Sequence, residues 1–255
     1  MKRQINEAVQ RVADALGSWD GIDTITLMEG EEDVYDPYFF LSVDVYYRGA
    51  LLDIEKRREL FSFGNAFESS VVNRKDRFLM GDLPVRVEYK EIERFEEIIR
   101  ADSSGTSLVR DNGTYMFYRL QNCRIISSKS DWIQQIREDI AQLRDGFWES
   151  LRDSMLSRME HYVSDLGAAV LQNDDLFYLV SSAGFIRSLT SVLFAINRKF
   201  EPSARFLAEH TLKLPILPEA FRGRFDSFLR RENEITRAKK SEIAELLARS
   251  VFNLS

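Results

Sequence analysis

Two carboxylates, Asp44 and Glu88, stand in short segments whose residue types read as β-strands, and their pairing is the sharpest chemical signal in the sequence. Phe39 to Tyr47 (FFLSVDVYY) and Leu83 to Lys90 (LPVRVEYK) are rich in β-branched and aromatic residues. Each follows a turn-forming pair, Asp36-Pro37 and Gly81-Asp82. Side chains alternate along a strand, so Phe40, Ser42, Asp44 and Tyr46 share one face of the first strand. Arg86 and Glu88 share a face of the second. If the two strands are neighbours, Asp44 and Glu88 converge on one point. Two carboxylates meeting on a sheet face are costly unless something positive lies between them, and a metal ion is the usual solution. The plain alternative is a pair of ordinary solvent-facing residues, with Arg86 beside Glu88 as an ion-pair partner.

The rest of the chain supplies the elements that hold those strands. Ile5, Val9, Val12, Ala13 and Leu16 recur at helical spacing over residues 2 to 16, and Gly17 follows as a stop. Ile22 to Met28 reads as a strand ending at Gly30, and Glu31 to Asp36 as a polar loop. Asp53 to Phe63 reads as a charged helix ending at Gly64. Arg77 to Met80 pairs naturally with the second carboxylate strand as a hairpin. Ile92 to Ala101 is helical in pattern, Asp102 to Asn112 a polar loop, and Met116 to Leu120 and Cys123 to Ser127 two short strands. From Asp131, where Gln134 completes a capping-box spacing, the pattern changes to long helices. These run over about 147 to 171, 176 to 196, 204 to 212, 220 to 230 and 232 to 252. The expected architecture is α+β: a small mixed-sheet domain over residues 1 to 130, then an all-helical bundle domain over 131 to 255.

Composition narrows the function. The chain has 255 residues, enough to bury a core without disulfides or structural metals. A net charge of -6 argues against non-specific nucleic-acid binding, which needs a basic face. A single cysteine, Cys123, excludes an internal disulfide and a multi-cysteine zinc site. It reads as a small buried apolar residue. The first sixteen residues lack a continuous apolar run, so no signal peptide is expected. Leu176 to Ile196 is apolar, but Arg187 sits within it beside several serines, which fits a helix packed among helices better than a membrane span. The expectation is a cytoplasmic protein without a membrane partner.

With Gly30, the strand SVDVY and the strand VRVEY in place, the N-terminal half resembles the nucleotidyltransferase fold, in particular the minimal and antibiotic-type nucleotidyltransferases. That family places a Gly-Ser pair after a first strand, a D-x-D pair on the next strand and a third carboxylate on a later one. Here Gly30, Ser42-Val43-Asp44 and Glu88 hold those positions. FYRLQNCRII, residues 117 to 126, is similar to the family's last strand pair. LFAINRKFEPSARFL, residues 193 to 207, is similar to a helical substrate-side domain. The resemblance implies Asp44 and Glu88 as catalytic metal ligands, with Mg2+ clamping the attacking and leaving oxygens of a nucleoside triphosphate. It implies Gly30, Ser42 and Arg119 on the nucleotide side, and Asn197, Lys199 and Arg205 on the acceptor side. Arg119, in a Tyr118-Arg119-Leu120 strand, would bind phosphate or carboxylate. The plainer reading of Lys199 and Arg205 is as basic residues near helix ends.

The sequence departs from the family pattern twice. Ser42 stands where the first carboxylate belongs, and a neutral hydroxyl is a poor magnesium ligand. Glu31 stands where the serine of the Gly-Ser pair belongs. At about 4 Å and an effective dielectric near 20, a carboxylate facing phosphate costs roughly 4 kcal/mol. Two functions follow from the resemblance. One is transfer of a nucleoside monophosphate to a hydroxyl of a small molecule. The other is a catalytically inactive binding or regulatory module of the same fold, with a small molecule or a protein as its partner.

Overall fold

The computed structural model describes residues 2–28, 39–70, 72, 74–100 and 113–254. Two compact units emerge: residues 1–100 with 119–142, and residues 101–118 with 143–255. The first holds a mixed six-stranded sheet, the second is helical, and the α+β class is as expected.

In the first unit the strands are β1 (Ile22–Leu27), β2 (Leu41–Tyr47), β3 (Asn65–Ser70), β4 (Lys75–Met80), β5 (Leu83–Glu91) and β6 (Arg124–Ser128). Their order across the sheet is β3-β4-β5-β2-β1-β6. β2 and β5 pair in parallel and every other neighbouring pair is antiparallel. Every residue of β2 is buried, so this strand is covered on both faces. Leu41, Val43, Val45, Val85 and Val87 point into a core against the apolar stripe of helix α1 (Lys2–Gly17), led by Val9, Val12 and Leu16. Helix α2 (Ile54–Leu60) is shorter than its charge pattern predicts. The polar run that follows it forms edge strand β3, which lacks the alternating apolar signal of a strand. Helix α3 (Ile92–Arg100) buries Ile92, Phe95 and Ile98 at helical spacing, as expected.

One element differs in kind. Residues 116 to 120, expected as a strand, belong to helix α4 (Tyr115–Asn122). Phe117 and Leu120, three apart, are fully buried, which is a helical face. In so short a run the aromatic residues carry a β preference that position in the fold overrides. Helix α5 (Trp132–Ala141) starts where the capping residues predict. Ser130 rather than Asp131 makes the side-chain contact, accepting from the Trp132 N–H at 3.2 Å.

The second unit is built on a helical hairpin, α6 (Asp145–Gln172) and α7 (Asp175–Ile196). Asn173 ends α6 in the left-handed conformation, φ 53°, which Asn adopts more readily than most residues. Asp174 then caps α7 by accepting from the Phe177 N–H at 2.9 Å. The hairpin is tight because Gly184 lies under the Tyr162 ring, where any Cβ would stand 2.3 Å from a ring carbon. Helices α8 (Leu207–Leu212), α9 (Phe221–Leu229) and α10 (Arg237–Phe252) complete the unit. Glu201 ties residues 113–114 to it. Its carboxylate accepts from the Thr114 N–H at 3.1 Å, from the Thr114 hydroxyl and from Ser191. Gly113 beside it has φ +71°, and a Cβ there would meet Glu201 at 2.9 Å, so both conformation and space select glycine.

A buried ion pair pins the edge of the sheet. Asp76 on β4 is fully buried and accepts from Arg57 at 2.6 Å, Ser69 at 2.6 Å and Tyr89 at 2.7 Å. Arg57 also donates to the Leu52 carbonyl and lies over the Tyr89 ring. This network joins α2, β3, β4 and β5. Asp76→Ala strands the Arg57 charge in the core and is expected to cost about 3–5 kcal/mol in urea unfolding. Asp53→Ala, at an exposed ion pair with Lys56, is expected to cost less than about 1 kcal/mol.

Candidate functional site

The pleat alternation of β2 and β5 directs Ser42, Asp44, Arg86, Glu88 and Lys90 to the sheet face opposite α1. The parallel register sets Asp44 directly beside Glu88 and Ser42 beside Arg86. Thr26 on β1 and Lys75 on β4 extend the Asp44 row in either direction. The register thus puts the two residues side by side, and what surrounds each carboxylate decides its chemistry.

Asp44 is completely buried, and protein cations answer both of its oxygens. Arg119 donates from Nε to Oδ2 at 2.6 Å and from Nη2 to Oδ1 at 2.8 Å, the two-pronged geometry that suits a guanidinium and a carboxylate. Lys90 donates to Oδ2 at 2.7 Å. Arg119 Nη2 also donates to the Ser42 hydroxyl at 2.8 Å. The residue that departs from the family's first carboxylate is thus a partner in the same cluster. Arg119 reaches it from α4, not from a strand, and the helix is what lets a long side chain point back onto the β2 face. Burial pushes the Asp44 carboxyl up, but the charges of Arg119 and Lys90 outweigh it, and its pKa lies below the usual carboxylate range. Burial, helped by the nearby Arg119 charge, holds the Lys90 ammonium below its ordinary pKa despite the opposing pull of Asp44. Tyr46, packed against Phe95 and Trp132 on the same face, is raised well above an ordinary tyrosine by burial and then by the Asp44 charge.

Glu88 is partly exposed and pairs with Lys75 at 2.9 Å. Arg86 lies over the Phe40 ring at 3.7 Å. A magnesium site needs carboxylate oxygens turned toward a shared, hydrated point. Here the Asp44 oxygens are occupied by three charge-assisted hydrogen bonds, and Glu88 is paired to a lysine on the far side of its strand. No group of three or more His, Cys, Asp or Glu side chains among the described residues is placed to hold a metal ion. The described donor set does not fit magnesium. Gly30 and Glu31, with the rest of the acidic segment between β1 and β2, lie outside the described residues.

The acceptor-side candidates belong to the helical unit. Asn197 caps the C-terminal end of α7 and spends its whole amide on the backbone. Nδ2 donates to the carbonyls of Leu193 at 2.8 Å and Ile216 at 2.9 Å, while Oδ1 accepts from the Ile216 N–H at 2.8 Å. Lys199 and Arg205 are exposed. Lys90 was the member of the cluster that sequence reasoning missed. Its signal was available, since it lies two residues beyond Glu88 and therefore on the same face.

No protein-family description and no curated protein matches the chain by sequence. Its fold does match a solved structure, the nucleotidyltransferase-like protein from Exiguobacterium sibiricum 255-15. The match covers 97% of this chain and 74% of that one, with a TM-score of 0.52 and 8% identity. At that identity the likeness is one of fold.

The cluster makes a signed prediction. A carboxyl whose folded pKa is depressed contributes stability above its unfolded pKa, near 3.9. That contribution is lost as pH falls through the folded value. Asp44→Asn leaves two buried cations facing a neutral amide and is expected to cost about 3–5 kcal/mol at neutral pH. The gap between wild type and variant in urea unfolding should narrow as pH drops below about 4. Equal stability at neutral pH would mean that Asp44 is not a structural counter-ion.

Proposed function

We propose that this chain is a nucleotidyltransferase-fold protein that acts as a binding or regulatory module and does not transfer nucleotides. What carries the reading is the commitment of Asp44. Both oxygens of the one carboxylate retained from the D-x-D pair are hydrogen-bonded to Arg119 and Lys90. Hydrogen bonds to charged groups contribute about 1.5–3 kcal/mol each, and freeing Asp44 for a metal would break three of them in a buried site. The two sequence departures support the same reading. Ser42 has joined the ion cluster, and Glu31 adds negative charge to the segment where a triphosphate would lie.

The transfer reading gives Asp44 and Glu88 to magnesium and uses the helical unit to hold a small hydroxyl-bearing acceptor. It requires Arg119 and Lys90 to leave Asp44 when nucleotide arrives. Calorimetric titration of ATP into the protein, with and without magnesium, separates the two readings. The module reading expects no magnesium-dependent heat, and no change on Glu88→Ala. A magnesium-dependent isotherm that disappears in Glu88→Ala would overturn it and establish an enzyme with an unorthodox ligand set.

A further inference from the structure

We infer that the helical unit self-associates, pairing the exposed face of α7 with the α7 of a second copy of this chain in antiparallel orientation. α7 is apolar and long enough to cross a membrane by composition alone, yet little more than half of its apolar window is buried. The exposed part is not scattered. Leu176 is 72% exposed, Leu179 60% and Val180 56%, and Leu171, in the last turn of α6, is 88% exposed. At 100° per residue Leu176, Leu179, Val180, Ala183 and Arg187 fall on one stripe, and Ala183 and Arg187 are exposed as well. A monomer normally scatters its exposed leucines singly. A contiguous group of this size reaches the few hundred Å2 at which exposed apolar surface marks an interaction site.

The stripe suits its own copy better than another occupant. Read from its start, it presents acid (Asp174, Asp175), then large apolar side chains, then Ala183, then Arg187. Turned antiparallel about a two-fold axis near Val180, it sets Leu176 of each copy against the small Ala183 region of the other, and Leu179 and Val180 against themselves. The acidic end of each helix then lies toward the Arg187 end of its partner, where the exposed Arg187 also reaches Gly113 and the Glu201 carboxylate of its own chain. A two-fold interface must be self-complementary in both size and charge, and this face is. Asp175 keeps most of its side chain exposed while contacting Arg237, so it can serve a second cation. A membrane surface fits less well, because interfacial helices carry basic residues along their polar flanks and this one begins with two aspartates. Stable pairs bury about 800 Å2 per partner, so the stripe would form the apolar centre and the polar flanks of α6 and α7 the rim.

Sedimentation equilibrium over micromolar concentrations tests this. A monomer–dimer equilibrium is expected, with Leu179→Arg and Leu176→Arg each weakening it by roughly tenfold or more. Both sites are exposed in the single chain, so the variants should keep the wild-type circular dichroism and lose only the concentration-dependent part of the melting temperature. Val72→Arg, at a 93% exposed valine in the first unit, should leave the equilibrium unchanged. A wild-type protein that stays monomeric would overturn the inference, as would a dimer insensitive to both leucine substitutions. So would a monomer that co-sediments with phosphatidylcholine–phosphatidylserine vesicles through these same leucines.

Discussion

A carboxylate with no exposed surface cannot remain ionised in a protein interior without opposite charge beside it. Asp44 is in that position, and much of the first unit is arranged to meet the requirement. The aspartate comes from β2, which is covered on both faces. Lys90 comes from β5, parallel to β2, and Arg119 comes from α4, far along the chain. Loss of Asp44 leaves two cations side by side in a place that water barely reaches. The cluster therefore constrains register as well as composition. A one-residue slip of β5 against β2 would turn Lys90 to the other face and leave Asp44 with a single cation.

The sheet carries a second buried pair on its opposite face, where Asp76 and Arg57 sit among apolar residues with Ser69 and Tyr89. In both cases an aspartate on a strand meets an arginine from a helix, and hydroxyl groups complete the network. The Asp76 network holds an edge whose strand β3 has few apolar side chains to bury. At Asp44 the charge is answered from within the chain, and the proposed reading of a module that does not transfer nucleotides rests on that.

Much of this was legible in the sequence. Alternation along FFLSVDVYY and LPVRVEYK correctly sorted the two faces and aligned Asp44 with Glu88, because a period of two leaves little freedom once one face is apolar. The long helices were equally readable. The identity of Asp44's partners was not readable. Arg119 is 75 residues away along the chain, and its segment, FYRL, has strand-like composition but folds as a helix. Strand β3 was missed because NAFESS is a polar edge with no periodic signal. Asn197 illustrates a different limit: an asparagine at a helix end next to basic residues looks like a ligand site, but its amide closes the backbone between α7 and Ile216. The exposed stripe on α7 was hidden for the opposite reason, since sequence alone reads an apolar helix as buried.

On the function proposed above, Arg119 and Lys90 neutralise Asp44 where a divalent metal would otherwise stand. Manganese titration followed by electron paramagnetic resonance, in the presence of ATP, tests it most directly. The protein is expected to remove no more manganese from the free-ion signal than ATP removes by itself. A stoichiometric protein-bound ion that disappears in Asp44→Asn, in a variant still folded by circular dichroism, would contradict it.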